Sequence, residues 1–119
     1  MKEIKFRAWM PTEKKMSHSF LLRDVPYIFA NGFDDSTPIM QYTGLKDKNV
    51  VEIYEGDIIS FRFNNQDRVE SVYFYDGCFS LGYCIDLRST QIDQYKDVGL
   101  SMLVIGNLYQ HPTLLTPKS

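Results

Sequence analysis

Residues 39–59, IMQYTGLKDKNVVEIYEGDII, constrain the fold more than any other stretch of this 119-residue chain. Two apolar-rich runs, Ile39 to Leu45 and Val50 to Tyr54, flank the polar residues Lys46-Asp47-Lys48-Asn49. Asp and Asn tolerate tight-turn geometry, so the pattern predicts a β-hairpin. Glu55-Gly56-Asp57 supplies a second turn, in which Gly56 can take a positive φ that a Cβ would make costly. A helix across this region would hold Gly44 and Gly56 internally, at about 1 kcal/mol each relative to Ala. The segment therefore predicts antiparallel β structure.

The rest of the chain extends the pattern. Ile4, Phe6 and Ala8 alternate with Lys5, Arg7 and Trp9, as in a strand with one core face and one exposed, mostly charged face. Met16 to Leu22 reads as its returning strand, with Lys14 and Lys15 near the turn. Arg23 to Pro38 is rich in turn formers yet carries Tyr27, Ile28, Phe29 and Phe33, which predicts an ordered excursion packed on the body or on a neighbouring subunit. A meander follows: Ile58 to Phe63, the turn Asn64 to Asp67, Arg68 to Tyr75, the turn Asp76-Gly77, and Cys78 to Leu87 with Phe79, Leu81, Tyr83, Ile85 and Leu87 on one face. Arg88 to Val98 reads as a loop or single turn. Leu100 to Ile105 reads as a strand covered on both faces, ended by Gly106-Asn107. The tail from Leu108 to Leu115 has room for one helical turn. The expected architecture is mainly β, an antiparallel meander closing into a small, partly open barrel-like single domain over residues 1–119, with little helix.

Composition limits function. The chain is 44% hydrophobic and 14% aromatic, which suits a packed β domain. Its net charge of −2 lacks the general positive field of a nucleic-acid binder. Charge is uneven, however: residues 1–20 carry five cations and two carboxylates, a net +3, on a body whose remainder is −5. The start lacks an apolar signal core and no window approaches a membrane span, which predicts a soluble, cytoplasmic protein without a membrane partner. Cys78 and Cys84, if on one continuous strand, would lie about 20 Å apart, so reduced thiols are expected.

No constellation specifies catalysis. His18 and His111 stand near no matching Ser or Cys motif, which favours ordinary surface histidines. The Cys and His spacing fits no zinc pattern, and the glycines are scattered among turns, so neither a metal nor a cofactor is expected. Glu52, Glu55 and Asp57 are close in sequence and could do acid-base work, but Asp57 after Gly56 is better read as an acceptor for turn backbone donors. The protein is read as a non-enzyme. The sharpest binding candidate is an aromatic and basic face made of Lys5, Arg7 and Trp9 with Tyr42 and Tyr54 nearby, as small nucleic-acid-binding barrels use. A subunit interface at Trp9 is the preferred alternative, because aromatics are enriched at interfaces and the net charge opposes a general nucleic-acid role.

Three stretches carry a family likeness. Ile4-Lys-Phe-Arg-Ala-Trp9, then Met40-Gln-Tyr-Thr-Gly-Leu-Lys-Asp-Lys-Asn49 with Glu52-Ile-Tyr-Glu-Gly-Asp-Ile-Ile59, and Val104-Ile-Gly-Asn-Leu-Tyr109 followed by Pro112 resemble the YopX family. The resemblance implies a mostly β phage or prophage protein that forms homo-oligomers, in a family of uncharacterised function, and it brings no catalytic residues; a phage or host protein is the partner expected beside further copies of the chain. Two positions depart from the family pattern: Met10 follows Trp9 where an acidic residue is frequent, and Val50 follows Asn49 where Gly is common. Without that Gly, the turn is expected to place its positive φ on Asn49.

Overall fold

In the computed structural model, which describes residues 4–24, 37–75, 77–82, 85–91 and 95–115, the chain is mainly antiparallel β, one of its two sheets is a half-barrel, and helix is scarce. The first sheet has the order β2-β1-β4-β5, with β3 also pairing β1. Its strands are β1 (Lys5–Met10), β2 (Lys15–Met16), β3 (Phe20–Leu21), β4 (Ile39–Lys46) and β5 (Glu52–Tyr54). The second, ordered β10-β6-β7-β8-β9, contains β6 (Asp57–Phe63), β7 (Gln66–Tyr75), β8 (Cys78–Leu81), β9 (Ile85–Asp86) and β10 (Leu103–Asn107). Ile53, Ile59, Phe61, Val72, Leu81, Ile85, Leu87, Val98 and Met102 form the core.

The predicted hairpin is β4–β5, pairing Tyr42 with Tyr54 and Lys46 with Glu52 around an irregularity at Gly44, whose φ is +89°. Its turn corrects one expectation: the positive φ falls on Val50, at 65°, not on Asn49. Asp47 explains this, because its Oδ1 accepts the N–H groups of Asn49 and Val51 at 2.8 and 2.9 Å, and its carbonyl accepts that of Val50. These bonds fix the residue between them in a left-handed conformation that a β-branched side chain resists. Val50 is exposed, so its side chain offers little burial in return. Val50→Gly should therefore raise stability by roughly 0.5–1 kcal/mol, the relief of strain less the added freedom of the unfolded chain, measurable by urea denaturation.

Other elements differ from the sequence reading for local reasons. Ser17 splits the returning strand into β2 and β3 by placing its hydroxyl on the Ala8 N–H at 2.9 Å. Asn64 and Asn65, both at positive φ, make a two-residue turn, so β7 begins at Gln66. That is the mirror-image turn that matches strand twist. The long strand to Leu87 does not form: Gly82, at φ +60°, ends β8, and β9 returns to pair Leu81 with Ile85. The strand expected to carry both cysteines reverses after Leu81, so their separation along a single strand no longer bears on the thiols; Cys84, Tyr83 and Asp76 lie outside the described residues. A short helix, α1 (Lys96–Ser101), takes up Gly99 and Leu100, so the last strand starts at Leu103. Gly99 is needed there because a Cβ would come within 2.3 Å of the Thr90 carbonyl oxygen. Strand β10 is half-buried, not covered on both faces: it is an edge, and Ile105 is exposed. The excursion expected over Arg23 to Pro38 falls largely outside the described residues; Leu22–Asp24 forms a 3-10 turn.

Candidate functional site

Strand β1 alternates as expected, but the burial of its two faces is not as expected. Ile4 is 49% exposed and Phe6 is half-buried against Phe20, whereas the Lys5 and Arg7 side chains are only 12% and 13% exposed. The apolar face of β1 is fully buried only at Ala8, while the charged face is covered at Lys5 and Arg7. The reason lies in the β4–β5 hairpin and the Glu55-Gly56-Asp57 turn, which bring aromatic rings and carboxylates onto it.

The cover is specific. Arg7 Nη2 donates to Asp57 Oδ1 at 2.7 Å and to the Glu55 carbonyl at 3.3 Å. Its guanidinium carbon lies 4.7 Å from the centre of the Tyr54 ring. Lys5 pairs with Glu52 and stands 4.9 Å from the Tyr42 ring centre. Tyr42 and Tyr54 are cross-strand partners with ring centres 5.4 Å apart, and both are buried. Four of the five candidate residues, Lys5, Arg7, Tyr42 and Tyr54, thus form one interleaved ladder of cations and rings. Such a stack is worth more when water is excluded, as it is here.

The carboxylates weighed for acid-base chemistry are committed to this frame. Asp57 Oδ2 accepts the Tyr54 N–H at 2.8 Å, the turn role expected for it, while Glu55 Oε1 accepts the Gln41 N–H at 2.8 Å. Glu52 faces Lys5 and the Tyr54 hydroxyl, which lies 3.4 Å away. Burial pushes the Asp57 carboxyl above its ordinary range, although Arg7 and the Tyr54 N–H oppose the shift. Burial also raises the Tyr54 phenol, with Glu52 adding to the effect. The turn itself joins the sheets: the Gly56 N–H donates to Val72 O, and Gly56 O accepts from Leu108, both at 2.9 Å. Gly56 has φ +82°, and a Cβ there would sit 3.2 Å from Met40 Sδ.

Trp9, the fifth candidate, is not part of the ladder. Its ring stacks on Tyr109 at 5.9 Å, beside a shallow groove lined also by Pro11, Lys14, Gln110 and His111. Sequence reasoning missed this cluster, although the basic turn at Lys14-Lys15 and the polar run after Asn107 were visible signals. His18 and His111 are both exposed. A second cleft of about 190 Å³, between the sheets, is lined by Leu45, Phe74, Phe79 and Leu87, with Cys78 and Arg88 at its margin. Phe74 is 57% exposed there and packs edge-on against Phe79. Among the described residues, no group of three or more His, Cys, Asp or Glu gathers as a metal site, and no helix is long and apolar enough to cross a membrane.

The ladder and its turn coincide with the family likeness seen in the sequence, and a family model for the YopX protein matches residues 24–116. The chain belongs to the YopX family. The match begins after β1, so the Arg7 side of the ladder lies outside it while Tyr42, Tyr54 and Asp57 lie within. Among solved structures, protein EF1440 from Enterococcus faecalis is similar over 94% of this chain and 97% of its own length, with a TM-score of 0.64 and 26% identity. No curated protein matches the chain at a significant level.

Proposed function

We propose that this YopX-family chain is a non-enzymatic accessory protein of phage or prophage origin that acts in the bacterial cytoplasm by self-assembly and protein-protein contact. The observation that supports this reading most is the internal use of the β1 cations. Lys5 and Arg7 are covered and paired with Glu52 and Asp57, so the face that could have met nucleic acid presents no free positive field. Large apolar side chains are exposed elsewhere, foremost Phe74, which lines the inter-sheet cleft. Apolar clefts rimmed by polar residues are the kind of surface that protein partners cover. Phage origin and oligomerisation are supported by the family resemblance.

A nucleic-acid-binding module is the second reading, favoured only by the nearness of Trp9 to Lys14. The two separate in one experiment. Titrating the full chain with a single-stranded oligonucleotide at low salt should give no saturable binding. Binding that weakens steeply with salt and on Lys14→Asn, an exposed position beside Trp9, would overturn the protein-contact reading in favour of the second.

A further inference from the structure

The groove beside Trp9 has a hydrogen-bonding polarity set from below by one buried residue. Asn107 Oδ1 accepts the N–H groups of Tyr109 and Gln110 at 3.0 and 2.9 Å, which fixes the orientation of its amide. Its Nδ2 therefore donates, and the atom it meets at 2.7 Å is Gln110 Oε1. With the oxygen so oriented toward Asn107, the Gln110 side chain turns its NH₂ to the groove as a donor. The Asn107 N–H points at His111 Nδ1 at 3.3 Å, so in the neutral ring the hydrogen sits on Nε2, a second donor. Lys14, exposed in the β1–β2 turn at φ 55°, is the third, and it makes no ion pair among the described residues. Gln110, His111 and Lys14 thus each present a donor at the groove.

We infer that this groove is a docking site for an acidic partner peptide that carries a carboxylate next to a proline or aromatic ring, an inference that rests on the protein-contact function above. Three donors with a single formal positive charge match one carboxylate, whose two oxygens accept several hydrogen bonds. The stacked Trp9 and Tyr109 rings, with Pro11 beside them, form a flat apolar wall for the neighbouring ring. A nucleic-acid strand would call instead for several cations tracking its phosphates, and the groove has only Lys14. Lys14 and Lys15 against Glu13, all exposed in this turn, leave it net positive and add complementarity to a carboxylate.

Trp9 is the only tryptophan, so intrinsic fluorescence reports occupancy of the groove directly. The probes are an acetylated, amidated peptide of alternating Pro and Glu, its Pro-Gln counterpart, and AMP. The Pro-Glu peptide should give a saturable change, weakened about tenfold in the Pro-Gln form and in Lys14→Asn, whose asparagine accepts the turn's positive φ. No response to the Pro-Glu peptide, equal responses to both peptides, or tighter binding of AMP would overturn the inference. Failure here with a protein that still self-associates leaves the assembly reading standing. A monomer that binds the acidic peptide would end self-assembly and keep the groove.

Discussion

Arg7→Ala is expected to cost about 3–5 kcal/mol of stability, because it leaves Asp57 as an uncompensated charge in a buried turn. The Asp57 side chain is 2% exposed, and its remaining partner would be the Tyr54 N–H. The loss follows from stranding a partner and does not imply that the pair is strongly favourable. Burial already pushes the Asp57 carboxyl upward despite Arg7, which shows how much solvation the ion has given up. Arg7→Met with Asp57→Asn should therefore be markedly more stable than Arg7→Ala alone, since Met packs on Tyr54 and Asn still accepts the Tyr54 N–H. Urea denaturation of the wild type, both single variants and the double variant supplies the comparison. A cost below about 1 kcal/mol for Arg7→Ala would place the pair in the weak class of exposed salt bridges and remove the ladder from the list of structural joints.

Asp47→Ala should be nearly as damaging, at about 3 kcal/mol, because one buried carboxylate serves three backbone donors from both sheets. Oδ1 takes Asn49 and Val51 in the first sheet's turn, and Oδ2 takes Val104 on the edge of β10 at 2.9 Å. The Lys48 N–H adds a bond to the Met102 carbonyl at 2.9 Å, so this turn closes the open edge of β10. Desolvation works to raise the Asp47 carboxyl, but the three N–H donors and Lys48 outweigh it and hold the group below its ordinary value near 3.8. A carboxyl lowered on folding contributes stability that is fully present above the unfolded value and is lost as pH falls through the folded one. Acid denaturation below about pH 4 should thus be shallower in Asp47→Asn, which starts from a lower plateau at neutral pH. Asp57 acts in the opposite sense: its raised value means that protonation as pH falls toward 3.8 favours the folded state through that group. A pH profile unchanged by Asp47→Asn would contradict the role given to the three donors.

These two joints also show where the sequence was readable. The hairpin, the Glu55-Gly56-Asp57 turn and the meander were legible because each is encoded locally, by apolar periodicity and by residues suited to turns. The elements that were misread depend on partners distant in sequence. Alternation on β1 marks two faces but not that Lys5 and Arg7 are covered too; that depends on Glu52 and Asp57 arriving from 47 and 50 residues away. Val50 accepts a positive φ because Asp47 binds on both sides of it, which residue preference alone does not reveal. The reversal at Gly82 looked like a continuous strand because the apolar alternation continues through it, and α1 looked like a loop because only Val98 of its residues is buried. The five candidate residues lie on neighbouring strands, yet four of them turn inward and only Trp9 reaches the groove, where Asn107 orients Gln110 and His111.

Sedimentation equilibrium over a wide concentration range is the most direct test of the central claim, that this chain presents its apolar surface to copies of itself and to protein partners. The account predicts a weight-average mass that rises above the 13.9 kDa of one chain, and that falls back toward it in Phe74→Ser, an exposed position outside the core. A mass of 13.9 kDa at every concentration would contradict it.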